Sequence, residues 1–225
     1  MSKLEFQVKS HVYTFQKNSQ VFTKYLYNSL DDQEEIISEK SYDPETQFQQ
    51  DLKIRFSNED KKEEEYYKHK LPHIINNSTI ISSFSLFEYY FKKLANSVRI
   101  RWPKKSSYDC KWRRIDDYKN TIYDITKYNY DNLNGYWGEI NSVRKIRNLI
   151  VHHGSTVRKE VDRRIKDQPD YQLLKNHNKI NLSEETGYFT IKDSSIVNDF
   201  FDNANKYLFG IYNIFQENKF GKDNS

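Results

Sequence analysis

The sequence predicts an all-α fold, a bundle of helices with one small β-hairpin and an irregular, charged N-terminal segment. Several long segments carry apolar residues at helical spacing, and capping residues or glycine stand at their ends. Only the stretch from Ile180 to Ile191 alternates as strands do, around a turn that ends at Gly187. The aromatic share of 16% offsets an apolar fraction of only 36%, so we expect a globular chain.

The length of 225 residues suits one domain with an elaborate edge, or one domain with a subdomain. We expect residues 1–70 to form an N-terminal helix and an acidic excursion, with a subdomain as the alternative, and residues 71–225 to form the helical domain. Phe6 to Leu30 suits an opening helix or a helix after a short strand. From Asp31 the pattern is irregular until a charged helix around Asn58 to His69.

The helical domain contains four predicted helices. The first has Asn77 or Ser78 as its N-cap and runs to about Val98, before the interruption at Pro103. The second spans Ile115 to Tyr128 and is followed by a break at Asn134-Gly135. The remaining two are expected from Tyr136 to Gly154, where the glycine suits a left-handed C-cap, and from Ser194 to Gln216.

The charge is unevenly distributed along the chain. Asp31 to Glu65 holds 13 acidic and 5 basic residues, a net charge of −8, whereas the whole chain carries +4. The remainder therefore carries +12, which is enough to attract a polyanion such as RNA. The alternative is a solvated surface without a charged partner.

Several classes of function lack the residues that they need. Cys110 is the single cysteine, so the sequence excludes an intrachain disulfide and a cysteine-based zinc site. The sequence contains no glycine-rich phosphate loop, nucleophile elbow or paired-histidine zinc helix, so we expect no metal and no cofactor. It also has no apolar leader at Met1 to Phe15 and no membrane span, which favours a cytoplasmic location without membrane contact.

The helix that ends at Gly154 carries the most informative residues. On an ideal helix Arg147 falls within the apolar arc, and Asn148 and His152 lie one above the other beside it. Arginine binds phosphate and histidine transfers protons near neutral pH, so these three predict an anion site at the helix end. A cation-rich terminus that only complements the helix dipole is the alternative, because Arg147 and His152 lie about 140° apart.

Neighbouring residues on this helix have two interpretations each. Arg144 and Lys145 lie on the same polar face as Asn148, where they support the site or bind RNA. His153 falls between apolar positions, so packing or capping is favoured over catalysis, and it is also a candidate for RNA binding. Trp137 is a candidate for stacking on a base, with core packing favoured.

The Arg147-Asn148-x-x-x-His152 signature, ending a helix in a small all-helical protein, resembles the HEPN superfamily (higher eukaryotes and prokaryotes nucleotide-binding). The resemblance covers residues 77–154, and the run from Ser83 to Glu88 is similar to the acidic-residue helix that precedes the signature in relatives. Residues 1–70 carry no resemblance. Gly154 stands where some relatives have a tyrosine that a partner enzyme modifies, so that mode of control is not expected.

The resemblance implies a metal-independent endoribonuclease. Arg147 would bind the scissile phosphate, Asn148 would orient it, and His152 would transfer protons. The 2′-hydroxyl would be the nucleophile and give a 2′,3′-cyclic phosphate and a 5′-hydroxyl. Glu88 would orient Arg147. The alternative interpretation is that Glu88 is a solvated carboxylate on the helix surface.

Relatives usually pair about a two-fold axis, which implies a homodimer with a composite site. We therefore expect an RNA-cleaving homodimer, a bacterial defence or toxin effector with an antitoxin or other regulatory partner. One alternative is a non-catalytic module that binds RNA or protein through the basic region. Another is an interaction scaffold whose aromatic helices form the contact surface.

Overall fold

A computed structural model describes residues 3–38, 71–101, 112–157, 164–192 and 195–218. These residues form six α-helices, two short 3-10 helices and one two-stranded sheet. The helices are α1 (Lys3–Ser38), α2 (Leu71–Arg101), α3 (Ile115–Thr126), α4 (Asn134–His153), α5 (Pro169–Lys175) and α6 (Ser195–Glu217). The strands are β1 (Ile180–Leu182) and β2 (Phe189–Ile191). The predicted fold class, a helical protein with one small hairpin, is confirmed.

The N-terminal helix is longer than the sequence predicted. α1 continues through Asp31 to Ser38, a stretch that we expected to be irregular, and no strand precedes the helix in the described part. The acidic residues there stand at consecutive helical positions with few apolar neighbours, so periodicity did not mark them. The rest of the acidic excursion, including the charged helix predicted at 58–69, and the interruption at Pro103 lie outside the described residues.

Two predicted boundaries were wrong. α2 is already helical at Leu71, so Asn77 and Ser78 lie inside the helix and neither is its N-cap. α4 begins at Asn134, so the Asn134-Gly135 pair forms the first turn of a helix instead of a break. A short 3-10 helix at Asp131–Leu133 leads directly into α4 and provides the change of direction. The bounds of α3, the end of α4 and the last helix agree with prediction to within two residues.

The helices pack around one aromatic core. α2 lies at its centre and contacts α1, α3, α4 and α6, and α6 also contacts α1 and α4. Rings from three helices meet around Phe87, which stacks on Phe91 at 5.5 Å and contacts Phe15 at 5.8 Å and Phe200 at 5.9 Å. Large rings fill this core with few residues, which explains how a chain with a low apolar fraction folds.

The hairpin lies beside the end of α4. β1 and β2 are antiparallel, with Ile180 opposite Ile191 and Leu182 opposite Phe189. The turn is closed by a hydrogen bond from Gly187 N to Ser183 O at 2.9 Å, and Gly187 has a φ of 70°. Just before β2, Tyr188 bridges to Thr156, so the hairpin is joined to the chain that leaves α4. The predicted glycine turn is confirmed.

Candidate anion site at the end of helix α4

The local sequence explains why α4 ends where it does. Trp137, Ile140, Val143, Ile146 and Ile150 recur every three or four residues and are buried on one face. After His153 the chain turns at Gly154, which has a φ of 57° and donates its N–H to Leu149 O. This is the predicted left-handed C-cap. It ends the helix at His153, one residue after His152, and leaves the signature at an exposed helix end.

Arg147 is half-buried at the edge of the apolar face of α4. Its Nη1 donates a hydrogen bond to Asn148 Oδ1 at 3.1 Å, which holds the two side chains together. Its Nε is buried and has no hydrogen-bond partner among the described residues. A guanidinium has five N–H donors, so this one retains unused donors for an anion. A buried donor without a protein partner is rare in native proteins and calls for an explanation, such as a water, an ion or a catalytic role.

Asn148 and His152 are both exposed and lie one turn apart on the same face of α4. His152 makes no hydrogen bond with any described residue, whereas Asn148 is held by Arg147. On an α-helix the directions of Arg147 and His152 differ by about 140°. One chain therefore brings Arg147 and Asn148 together and leaves the imidazole of His152 facing solvent.

The two other cations of α4 differ in their environment. Arg144 Nη1 lies 2.6 Å from Asp116 Oδ2 of α3, and this ion pair fastens α4 to α3. The carboxylate neutralises the charge of Arg144, so this residue supports the structure near the signature. Lys145 is exposed and retains its charge for a polyanion.

Glu88 of α2 was expected to orient the guanidinium of Arg147. It makes no hydrogen bond or ion pair with Arg147 in the described part of the chain. It lies near Tyr118 of α3, where burial raises the pKa of the phenol and the charges of Glu88 and Asp117 raise it further. No hydrogen bond or ion pair among the described residues supports Glu88 as the residue that orients Arg147.

Trp137 belongs to the core. Its side chain is 7% exposed, and its ring lies 5.7 Å from Phe91 and 5.1 Å from Tyr207. Lys119 Nζ lies 5.0 Å from the same ring, and burial lowers the pKa of this lysine. The preferred core interpretation is confirmed, and a covered ring cannot stack on a base.

His153 is exposed, so its predicted packing role was wrong. The wheel placed it between Ile146 and Leu149, which are both buried. It is the last residue of α4, and the left-handed turn at Gly154 directs the chain away before another element covers this side chain. Periodicity does not register that a helix has ended, which explains the error.

The structure also brings four residues together that the sequence did not mark as functional. His73 and Asn77 of α2 lie beside Ser155, which follows the C-cap of α4, and Tyr188, which precedes β2. Asn77 Nδ2 lies 3.1 Å from Ser155 Oγ and 3.0 Å from His73 Nε2, and Tyr188 Oη lies 2.9 Å from the same nitrogen. Asn77 and Ser155 are separated by 78 positions, so no local pattern connects them.

Residues 3–38, 71–101, 112–157, 164–192 and 195–218 contain no group of three or more histidine, cysteine, aspartate or glutamate side chains that could hold a metal ion. Within the same residues no helix is both long enough and apolar enough to cross a membrane. Taken together, the fold and the site define a mainly helical protein with an incompletely satisfied arginine at an exposed helix end. Comparison with protein-family models, with curated proteins and with solved structures finds no match.

Proposed function

We propose that the protein is a metal-independent endoribonuclease of the HEPN type. The observation that carries the proposal is the arrangement of side chains at the end of α4. There Arg147 is held by Asn148 and retains a buried, unused N–H, and an exposed histidine follows one turn later. An arginine that is oriented and still short of acceptors suits a phosphate, and a free imidazole suits proton transfer.

The proposed reaction needs only these groups and the RNA. The imidazole of His152 removes the proton from a ribose 2′-hydroxyl, whose oxygen attacks the adjacent phosphorus. The new O2′–P bond replaces the P–O5′ bond, and the leaving oxygen takes back the proton held by the imidazolium, directly or through water, to become a 5′-hydroxyl. The guanidinium of Arg147 offsets the charge that develops on the phosphoryl oxygens. DNA lacks the nucleophile and would not be cut.

A second copy of the chain completes the proposed site. Because Arg147 and His152 diverge by about 140°, one helix end does not bring both to the same phosphate. A two-fold pair of α4 ends would place the arginine of one protomer opposite the histidine of the other. Val151 supports this arrangement, since it lies one turn after Arg147 and its aliphatic side chain is 43% exposed.

The resemblance extends the proposal to the biological role. A ribonuclease of this kind would act in the cytoplasm as a defence or toxin effector, and an antitoxin or other regulatory partner would restrain it. The basic character outside Asp31 to Glu65 supports RNA as the ligand, because a region with a net charge of +12 attracts polyanions. Lys145 and His153 are exposed beside the signature and would contact the RNA backbone.

The second candidate is a non-catalytic module that binds RNA or an acidic protein. The observation that favours it is that the His152 side chain makes no hydrogen bond with any described residue, whereas a catalytic base is normally held by a third group. In this alternative Arg147 positions a phosphate and no bond is broken. Salt-dependent binding of RNA without cleavage would support this module over the ribonuclease.

The test is RNA cleavage in the presence of EDTA. We expect the purified protein to cut total RNA and to leave 2′,3′-cyclic phosphate ends, detected by mass spectrometry of the fragments. Arg147→Ala and His152→Ala should each lower the rate by about 100-fold or more. Lys206→Ala, which removes an exposed cation on α6, should retain the wild-type rate. Equal RNA loss in all four proteins, or cleavage only with added metal, would remove the assignment.

A further inference from the structure

A polar cluster fastens the chain that leaves α4 to the helix at the centre of the core. Asn77 of α2 donates a hydrogen bond from Nδ2 to Ser155 Oγ at 3.1 Å. Ser155 follows His152 by three residues and is itself 2% exposed. Its N–H donates to Leu149 O at 3.2 Å, and its carbonyl oxygen accepts from Phe189 N at 2.9 Å. The position is therefore tied to α4, to the hairpin and, through its hydroxyl, to α2.

Ser155 adopts a backbone conformation that side-chain-bearing residues rarely occupy. Its φ is 60°, in the left-handed region, and it follows Gly154, which has a φ of 57°. A glycine at residue 155 would adopt this conformation without steric cost. A strained residue persists only where its surroundings fix it, and such residues concentrate at functional sites. What the serine provides and glycine lacks is the hydroxyl that Asn77 contacts.

The orientation of Asn77 is fixed from the opposite side. Its Nδ2 also lies 3.0 Å from His73 Nε2, and Tyr188 Oη lies 2.9 Å from the same ring nitrogen. Burial lowers the pKa of His73, which favours a neutral ring. Asn77 Oδ1 and His73 Nδ1 are buried without hydrogen-bond partners among the described residues. Two buried polar atoms therefore lack hydrogen bonds while this amide faces Ser155. Buried atoms without hydrogen bonds lower the stability of a fold, so stability alone does not explain this arrangement.

From these contacts we infer that Asn77 and Ser155 are positioning residues, which hold the last turn of α4 and thereby place His152 for proton transfer. The inference rests on the proposed ribonuclease activity. The last turn of a helix frays unless its end is fixed, and the side chain of His152 in that turn makes no hydrogen bond with any described residue. A shift of 1 Å in a catalytic group can lower a rate by about 100-fold, so fixing the helix end matters for the reaction.

The test uses two substitutions that release the same contact. Ser155→Gly removes the hydroxyl and relieves the backbone strain, so its melting temperature should equal or exceed that of the wild type. Asn77→Ala removes the donor from the other side. For both we expect kcat for RNA cleavage in EDTA to fall by roughly ten- to a hundredfold with little change in KM, because Arg147, Asn148 and Lys145 are untouched. The double variant should lose no more than the more impaired single variant.

Ser142→Ala is the matched control. It removes a serine hydroxyl from α4 that bonds only within the helix, to Gly138 O, so kcat should remain at the wild-type value. If the wild-type protein cuts RNA and kcat is unchanged in both Ser155→Gly and Asn77→Ala, this inference is overturned and the proposed function stands. A lower melting temperature in Ser155→Gly, with kcat and KM both impaired, would also overturn it and indicate a structural role. Wild-type protein that does not cut RNA in EDTA would overturn the proposed function, and this inference with it.

Discussion

At the scale of single residues, two helical glycines differ in the space that is available for a side chain. Gly210 of α6 faces Leu133, and an added Cβ would meet Cδ2 of that leucine inside van der Waals contact and Cδ1 at 3.1 Å. Leu133 is itself buried and cannot move aside freely. Gly138 of α4 is exposed, and an added Cβ would meet no atom within 4 Å. The close approach of α6 to the start of α4 therefore depends on Gly210.

Alanine substitutions at these two glycines should change stability in opposite directions. Gly210→Ala should lower the free energy of unfolding by about 1–3 kcal/mol, because overpacking outweighs the gain in helix propensity. Gly138→Ala should raise it by about 0.5–1 kcal/mol, since only the propensity changes. Urea unfolding followed by circular dichroism measures both. A stabilised Gly210→Ala protein would show that Leu133 is not packed against α6 as described.

The residues at the end of α4 show which parts of a site a sequence can predict. Arg147, Asn148, His152 and the cap at Gly154 lie within eight consecutive positions, so helical spacing and glycine conformation were enough to predict that they lie at a helix end, with Asn148 and His152 one turn apart. The contact of Asn77 with Ser155 joins two segments whose proximity depends on the packing of α2 against the hairpin and α4. Local periodicity contains no information about such contacts.

At the scale of elements, α1 is part of the same core as the helices that follow it. Phe15 is 0% exposed and lies 5.8 Å from Phe87 of α2 and 6.0 Å from Phe201 of α6. Val12 and Val8, one and two turns earlier, are buried with it. The apolar face of α1 thus covers residues of α2 and α6 that would otherwise contact water.

Removing the ring of Phe15 should show how strongly α1 is held. Phe15→Ala should lower the free energy of unfolding by about 3–5 kcal/mol, because it removes buried surface and leaves a cavity among three helices. Phe6→Ala is the control on the same helix, since Phe6 is 59% exposed, and should change stability by no more than about 0.5 kcal/mol. Equal effects in thermal unfolding monitored by calorimetry would contradict the packing of α1 described above.

The elements differ in how well the sequence predicted them, and amphipathicity explains the difference. α3 and α6 carry regular apolar stripes, and their bounds were predicted closely. The interior of α2 was recognised from its apolar run, but its start at Leu71 was missed, because polar residues at Asn76, Asn77 and Ser78 look like a cap. α5 has only seven residues and was not predicted, since so short a segment gives no periodic signal.

At the scale of the whole molecule, the question is which chain supplies each half of the proposed site. The structure of one chain leaves Arg147 with an unused buried donor and His152 without a hydrogen bond to any described residue. An exposed imidazole without a hydrogen bond is expected if a second copy places its own helix end opposite. A two-fold axis then creates two equivalent sites, each with an arginine from one protomer and a histidine from the other.

Heterodimers purified through two different affinity tags test this arrangement. A dimer of one Arg147→Ala chain and one His152→Ala chain keeps one intact composite site, so we expect about half of the wild-type cleavage rate. Each variant homodimer should be inactive. The discriminating control pairs a wild-type chain with an Arg147→Ala/His152→Ala chain. In the composite arrangement each of the two sites of this heterodimer lacks either the arginine or the histidine, so the protein should be inactive. If each site lies within one chain, the wild-type chain would retain half of the activity. If this control cuts RNA and the dimer of one Arg147→Ala chain with one His152→Ala chain does not, each chain contains a complete site of its own.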